Sequence, residues 1–124
     1  MKAIDKALNS GIATPFYLYD VRLLEDTLSE IRRSIGDRPV KVHYAVKANG
    51  TTGILRIISR EGFGADCVSG GEIEAAVHAG FRPADIFFAG VGKTDSEIEL
   101  GLRQGIGCFN VESLEELRII ASIA

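Results

Sequence analysis

The chain of 124 residues has no tryptophan, one methionine, two cysteines, two histidines and three prolines. With only Cys67, Cys108, His43 and His78 to draw on, no metal-ligand spacing arises, so no metal centre is expected. The cysteines are far apart and each falls in an expected strand, which reads as reduced, buried thiols in a cytoplasmic protein rather than a disulfide. No Ser-His-Asp or Cys-His arrangement can be assembled from these residues. No apolar run approaches the roughly 18 residues that suggest a membrane span. The opening MKAIDKALNSGIATPF lacks the apolar centre of a secretory signal. Basic side chains number 14 against 17 acidic, for a net charge of -3, and only Arg32 and Arg33 are adjacent. Without a basic stripe, nucleic acid is not expected as a partner, and neither is a membrane.

What remains is the balance of a globular protein, 46% apolar and 25% charged, in a length that suits one domain with a modest core. Thr14–Asp20 is a short β-prone run opened by a proline, and Asp20 is placed to cap a helix. Leu24, Leu28, Ile31 and Ile35 follow at helical spacing, with Gly36 as the stop. Beyond Val40 a strand–helix pattern repeats. Strands are expected at 40–47, 64–68, 85–89 and 107–111, each followed by a helix. Ser69-x-x-Glu72, Thr94-x-x-Glu97 and Ser113-x-x-Glu116 have the form of capping boxes. The repeat predicts a parallel α/β sheet, either open and doubly wound or part of a (β/α)8 barrel. Four strands are half of what a barrel needs, and the chain stops inside an expected helix, so the expectation is a fragment of a barrel. A complete four-stranded domain is disfavoured because its edge strands would be long, apolar and unprotected.

The most informative stretch is Val40–Gly62. Alternation puts Val40, Val42, Tyr44 and Val46 on one face of a strand and Lys41, His43, Ala45 and Lys47 on the other. Lys47 shares its face with Ala45, whose small side chain leaves room beside it. A strand-end lysine ordinarily keeps its head in water. If this face lines a barrel or cleft, the ammonium is desolvated, its pKa falls, and it can form a Schiff base with a carbonyl.

Tyr44-Ala45-Val46-Lys47-Ala48-Asn49, followed by Ile54-Leu55, Ile58 and Gly62, resembles the cofactor-attachment segment of the alanine-racemase-like barrel decarboxylases. These pyridoxal-phosphate enzymes include the ornithine, arginine and diaminopimelate decarboxylases. Asp66-Cys67-Val68-Ser69-Gly70-Gly71-Glu72 is more similar to the D-x-V-S-G-G-E segment of the diaminopimelate members than to that of the ornithine members. The resemblance runs from about Thr14 to Ala124. It implies pyridoxal 5'-phosphate as cofactor, Lys47 as its catalytic attachment point, and Lys47, Ala45 and Asp66 as cofactor-binding residues. It implies decarboxylation of meso-2,6-diaminopimelate to L-lysine by a homodimer whose second subunit completes the site. Residues 1–20 would belong with a separate β-domain and 21–124 would form the partial cofactor-binding barrel, inactive alone. An ornithine, arginine or carboxynorspermidine decarboxylase, or a non-catalytic cofactor carrier or regulator, remains open.

Other residues read more plainly. Gly90-Val91-Gly92-Lys93-Thr94 follows a strand and precedes a helix, as a phosphate-binding P-loop does. That motif needs a glycine where Phe87 stands, which argues against a nucleotide hydrolase. His43 reads as a satisfied core histidine and His78 as solvated. Ser69 and Glu72 read as capping partners. Gly70 and Gly71 would allow close backbone approach to the cofactor ring. Asp66 would either orient a neighbouring cation or the aldimine, or bond turn amides.

Overall fold

The structure is a computed structural model that describes residues 3–124. Met1 and Lys2, the head of the expected N-terminal segment, lie outside the described residues. The chain forms two compact units, the first running to Ser34 and the second spanning Ile35–Ala124. The sequence-based boundary at 20/21 differs, because it groups the helix after Asp20 with the barrel.

The first unit holds α1 (Ala3–Leu8) and most of α2 (Val21–Ile35). The Asp20 side chain accepts a hydrogen bond from the Leu23 amide at 3.0 Å, so α2 begins at the expected cap. On its apolar stripe Leu28 is buried, Leu24 and Ile35 are half-buried, and Ile31 is exposed. Residues 14–20 form no strand. The run has β propensity, but a strand exists only with a ladder partner, and none pairs with it among the described residues.

The second unit is built on β1 (His43–Ala45), β2 (Gly64–Cys67), β3 (Ile86–Phe88) and β4 (Cys108–Phe109), all parallel and adjacent in chain order. Between and after them run α3 (Thr52–Arg60), α4 (Gly70–Ala79), α5 (Asp95–Gln104) and α6 (Leu114–Ile123). α3, α4, α5 and α6 pack side by side in sequence. This settles the architecture. A doubly wound sheet reverses its strand order at a switch point, whereas right-handed crossovers that always advance in one direction lay every helix on one face. The four units form an arc of a (β/α)8 barrel.

The two faces of the sheet differ as that geometry requires. Ala65, Cys67, Ile86 and Phe88 point toward the helices and are fully buried with Leu55, Ile58, Ile73 and Ile98. The opposite face carries His43, Ala45, Asp66, Phe87 and Cys108, all half-buried. The strands are shorter than expected, and the edges β1 and β4 have only three and two residues. The long apolar edges anticipated from the sequence are therefore absent. The half-covered inner face, not the edges, is the unprotected surface.

The three caps share one half of the expected device. The Ser69, Thr94 and Ser113 hydroxyls each accept from the amide three residues on. Only Thr94 and Glu97 complete the reciprocal box. Glu72 and Glu116 reach one residue further back, to the amides of Val68 and Glu112. Glu97 also accepts from the Gly70 amide at 2.8 Å, tying α5 to the start of α4. This bond, joined by those from the Thr94 amide and hydroxyl, holds the Glu97 carboxyl below its ordinary range against the opposing effect of burial. A depressed carboxyl pKa stabilises the fold above the unfolded value of about 4.5, and that contribution is lost as pH falls through the folded value. Glu97→Gln is expected to cost about 1–2 kcal/mol at neutral pH. The cost should shrink in acid, as read from urea unfolding at two pH values.

Candidate active site at the carboxyl ends of the strands

β1 does not run through to Lys47. It ends at Ala45, and Val46–Ala48 form a 3-10 turn. Strand alternation therefore does not decide where Lys47 points. Val46 does the anchoring instead. Its side chain is 1% exposed, and the turn packs on β2 and α4. The Asn49 amide donates to the Val46 carbonyl at 3.1 Å and the Tyr44 hydroxyl to the Asn49 carbonyl at 3.2 Å. The Asn49 side chain accepts from the Thr51 amide at 2.9 Å and opens α3, where Thr51 itself makes no side-chain cap. Sequence reasoning placed Asn49 in the turn between strand and helix but not this side-chain bond. The signal was present, since an asparagine side chain bonds the backbone amide two residues on, here that of Thr51 just ahead of α3.

Lys47 sits on this turn with its side chain exposed and, among the described residues, makes no hydrogen bond or ion pair. It is not buried by the described residues, so the desolvated amine anticipated from the sequence is not realised by this arc of sheet. Ala45 pairs in register with Asp66, Asp66 with Phe87, and Phe87 with Cys108. These side chains form one row across the inner face. Asp66 is half-buried and, among the described residues, its carboxylate bonds neither a turn amide nor a cation. That leaves it available, unlike the amide-bonded aspartate weighed as an alternative.

The other lysine at this rim is fully committed. Lys93 Nζ donates to the Gly90 carbonyl at 2.7 Å, the Asn110 carbonyl at 2.7 Å and Glu116 Oε1 at 2.6 Å. Its side chain is 1% exposed and lies over the Phe88 ring. An ammonium has three donors, and all three are taken. Lys93 thus pins two neighbouring loops together and is unavailable to a phosphate, which closes the P-loop reading. Gly70 is also not at the site. A Cβ there would meet Glu97 Cγ at 3.0 Å and Leu100 Cδ2 at 3.2 Å, so its small size admits α5 and not a cofactor. Gly71 is exposed, and a Cβ there would meet only Ser69 Oγ at 4.0 Å.

Cys67 is a free thiol facing the helices, and burial, helped by Glu72 and Asp66, pushes it up to about 12. It is inert as a nucleophile near neutral pH. Cys108 is free and half-buried on the inner face. His78 is exposed, as expected. His43 departs from expectation. It stacks on Phe87 with ring centroids 4.0 Å apart, but its buried Nε2 has no hydrogen-bond partner. Among the described residues no group of three or more His, Cys, Asp and Glu could hold a metal ion.

The chain's residues 21–124 match the family described as "Pyridoxal-dependent decarboxylase, pyridoxal binding domain". The chain belongs to this family. Among curated members, the diaminopimelate decarboxylase of Bacteroides thetaiotaomicron is 58% identical over 114 residues, covering 91% of this chain and 30% of that protein. That of Vibrio cholerae is 43% identical over 117 residues, covering 94% and 28%. The crystal structure of Helicobacter pylori diaminopimelate decarboxylase with L-lysine superposes with a TM-score of 0.90 at 40% identity, over 96% of this chain and 30% of that one. The Paramecium bursaria Chlorella virus arginine decarboxylase superposes at 0.86 with 27% identity, over 97% and 33%. The chain spans about 30% of the length of the curated relatives it matches.

For this pyridoxal binding domain the residues present fit the group the family is named for. A reactive aldehyde needs an unpaired amine, and Lys47 supplies one where Lys93 cannot. Positive charge on such a group would be oriented by an unpaired carboxylate, and the Asp66 carboxylate makes no bond among the described residues. Ala45, beside Asp66 in the row and two residues before Lys47, takes little space.

Proposed function

We propose that this chain is the amino-terminal, cofactor-holding part of a pyridoxal-phosphate-dependent diaminopimelate decarboxylase, which converts meso-2,6-diaminopimelate to L-lysine. The observation that carries the reading is the contrast between two rim lysines: Lys93 has every donor satisfied, and Lys47 has none. Lys47 would hold the cofactor aldehyde, with Ala45 leaving room and Asp66 orienting positive charge on the group. Bound there, pyridoxal phosphate supplies the electron sink for the carbanion left when carbon dioxide departs. The Val46 anchor and the Asn49 turn hold Lys47 in place, and its amine, when free, can carry a proton to or from a neighbouring carbon.

The substrate assignment is supported by relatives up to 58% identical. It predicts that the full-length protein releases carbon dioxide from meso-diaminopimelate in preference to ornithine or arginine. Preference for arginine would instead align it with the viral relative. A homodimer is supported by Val68, Val91 and Val111, exposed apolar side chains on three successive rim loops. The partners are then the amino-acid substrate and a second subunit, with neither nucleic acid nor membrane involved, in the cytoplasm. No helix of the described residues is long and apolar enough to cross a membrane.

The test is chemical. The full-length protein is incubated with pyridoxal phosphate, reduced with borohydride, digested and mapped. The label is expected on Lys47 and is expected to vanish in Lys47→Ala. Label on Lys93 or any other lysine would overturn the assignment.

A further inference from the structure

The reading above leaves His43 without a role, yet its placement is specific. His43 pairs in register with Gly64 on β2, two residues before Asp66 on the same face. A Cβ on Gly64 would overlap the His43 ring, so the imidazole occupies the space that a side chain on β2 would fill. From there the ring reaches β3 and stacks on Phe87 at 4.0 Å and 29°. Phe87 in turn lies beside Asp66 in register. The ring therefore underlies the row that carries Ala45, Asp66 and Phe87, which is the floor of the cofactor face. Nothing among the described residues accepts from or donates to its Nε2.

The charged groups around it come from three elements. Lys41 precedes it on its own segment. Asp85 approaches from the 3-10 turn Pro83–Asp85, but is paired with both Lys41 and Arg82. Asp66 stands above it on β2 with no partner. β3 contributes no ionisable group. Burial and the Lys41 cation hold the ring's pKa below its ordinary 6.5, opposed by Asp85, Asp66 and the Lys41 carbonyl.

We propose that His43 is a positioning residue of the cofactor face: its uncharged ring supports Phe87 and leaves Asp66 free, and its protonation draws Asp66 away from the cofactor. This rests on the cofactor reading of Lys47. The physical argument is competition. An uncharged imidazole makes no demand on Asp66. An imidazolium whose Nε2 proton has no acceptor will draw a carboxylate that acts on it and is not already held by a cation, and of Asp85 and Asp66 only Asp66 is so. Cofactor retention then falls with pH below 6.5, the ordinary value of the ring.

The test uses the full-length protein in the wild type and in two non-titrating variants. His43→Phe keeps a stacked ring, and His43→Gln keeps a planar group over Gly64. Retention of pyridoxal phosphate is measured by dialysis, and capture on Lys47 by borohydride mapping, at about pH 7.5 and about pH 5.5. Wild-type affinity is expected to fall more than that of either variant between the two pH values, by at most about tenfold, the ceiling for a ring titrating at its ordinary value. Variants that are folded and lose cofactor as steeply as the wild type overturn the proposal. No label on Lys47 at the higher pH overturns the cofactor reading and this inference with it, whereas label on Lys47 with unchanged profiles overturns the inference alone. Should neither variant fold, the wild type still decides. Linkage is reciprocal, so cofactor binding must move the His43 titration, followed by its ring proton resonances, to lower pH. An unmoved or raised titration overturns the proposal.

Discussion

Lys93→Met is expected to destabilise the protein by about 3–5 kcal/mol while leaving cofactor capture on Lys47 intact. The size follows from what the ammonium holds. Its three bonds join the Gly90 carbonyl after β3, the Asn110 carbonyl after β4 and the Glu116 carboxylate on α6. Methionine can replace the stem's volume but none of the bonds, and Glu116 is left 13% exposed without its cation. Removing one member of a buried pair costs more than the pair itself contributes, because the remaining charge has lost its water and found no substitute. Glu116 keeps one bond, to the Glu112 amide at 3.3 Å, which limits the loss. The urea midpoint reports the stability change, and borohydride mapping reports the chemistry. A variant with normal stability would show the pin to be redundant, and one that folds but no longer labels Lys47 would give Lys93 a chemical role.

Gly64→Ala is the second large effect, at about 1–3 kcal/mol from overpacking alone. The added methyl would overlap the His43 ring and lie 2.7 Å from the Asp85 carbonyl oxygen. The ring can swing aside, at the cost of its stack on Phe87, but the carbonyl belongs to the backbone that leads into β3. Adding His43→Ala should therefore recover only part of the loss. Full recovery in the double variant would show that the backbone contact is soft. The single variant should also hold pyridoxal phosphate more weakly, since displacing the ring disturbs the row that contains Asp66.

The residue pattern carried much of this arrangement, and its failures have identifiable causes. The strand–helix repeat, the cap residues Ser69, Thr94 and Ser113, and the stops at Gly80 and Gly105, both left-handed at φ 99° and 68°, depend on neighbours a few positions away, and all are found. The exact end of β1 is not local. It is set where pairing with β2 stops and Val46 finds its hole between β2 and α4, so the alternation projected onto Lys47 ran too far. Lys93 resembled a rim lysine like Lys47 in every local respect. Its acceptors are 3, 17 and 23 residues away, and only folding brings them to one point. His43 misled in the opposite sense, because its unpaired Nε2 depends on what β2 and β3 place around it.

By itself the sequence determined the parallel α/β class and the helix caps, because periodicity and short motifs act through near neighbours, and its resemblance to the barrel decarboxylases marked Lys47, Ala45 and Asp66 as the residues to examine. Tertiary structure alone decided that the sheet curves one way with its helices on one side, and which of two rim lysines keeps a free amine. The reason is physical: crossover direction and ammonium satisfaction both depend on groups far apart in the chain, whose proximity exists only once the strands have paired.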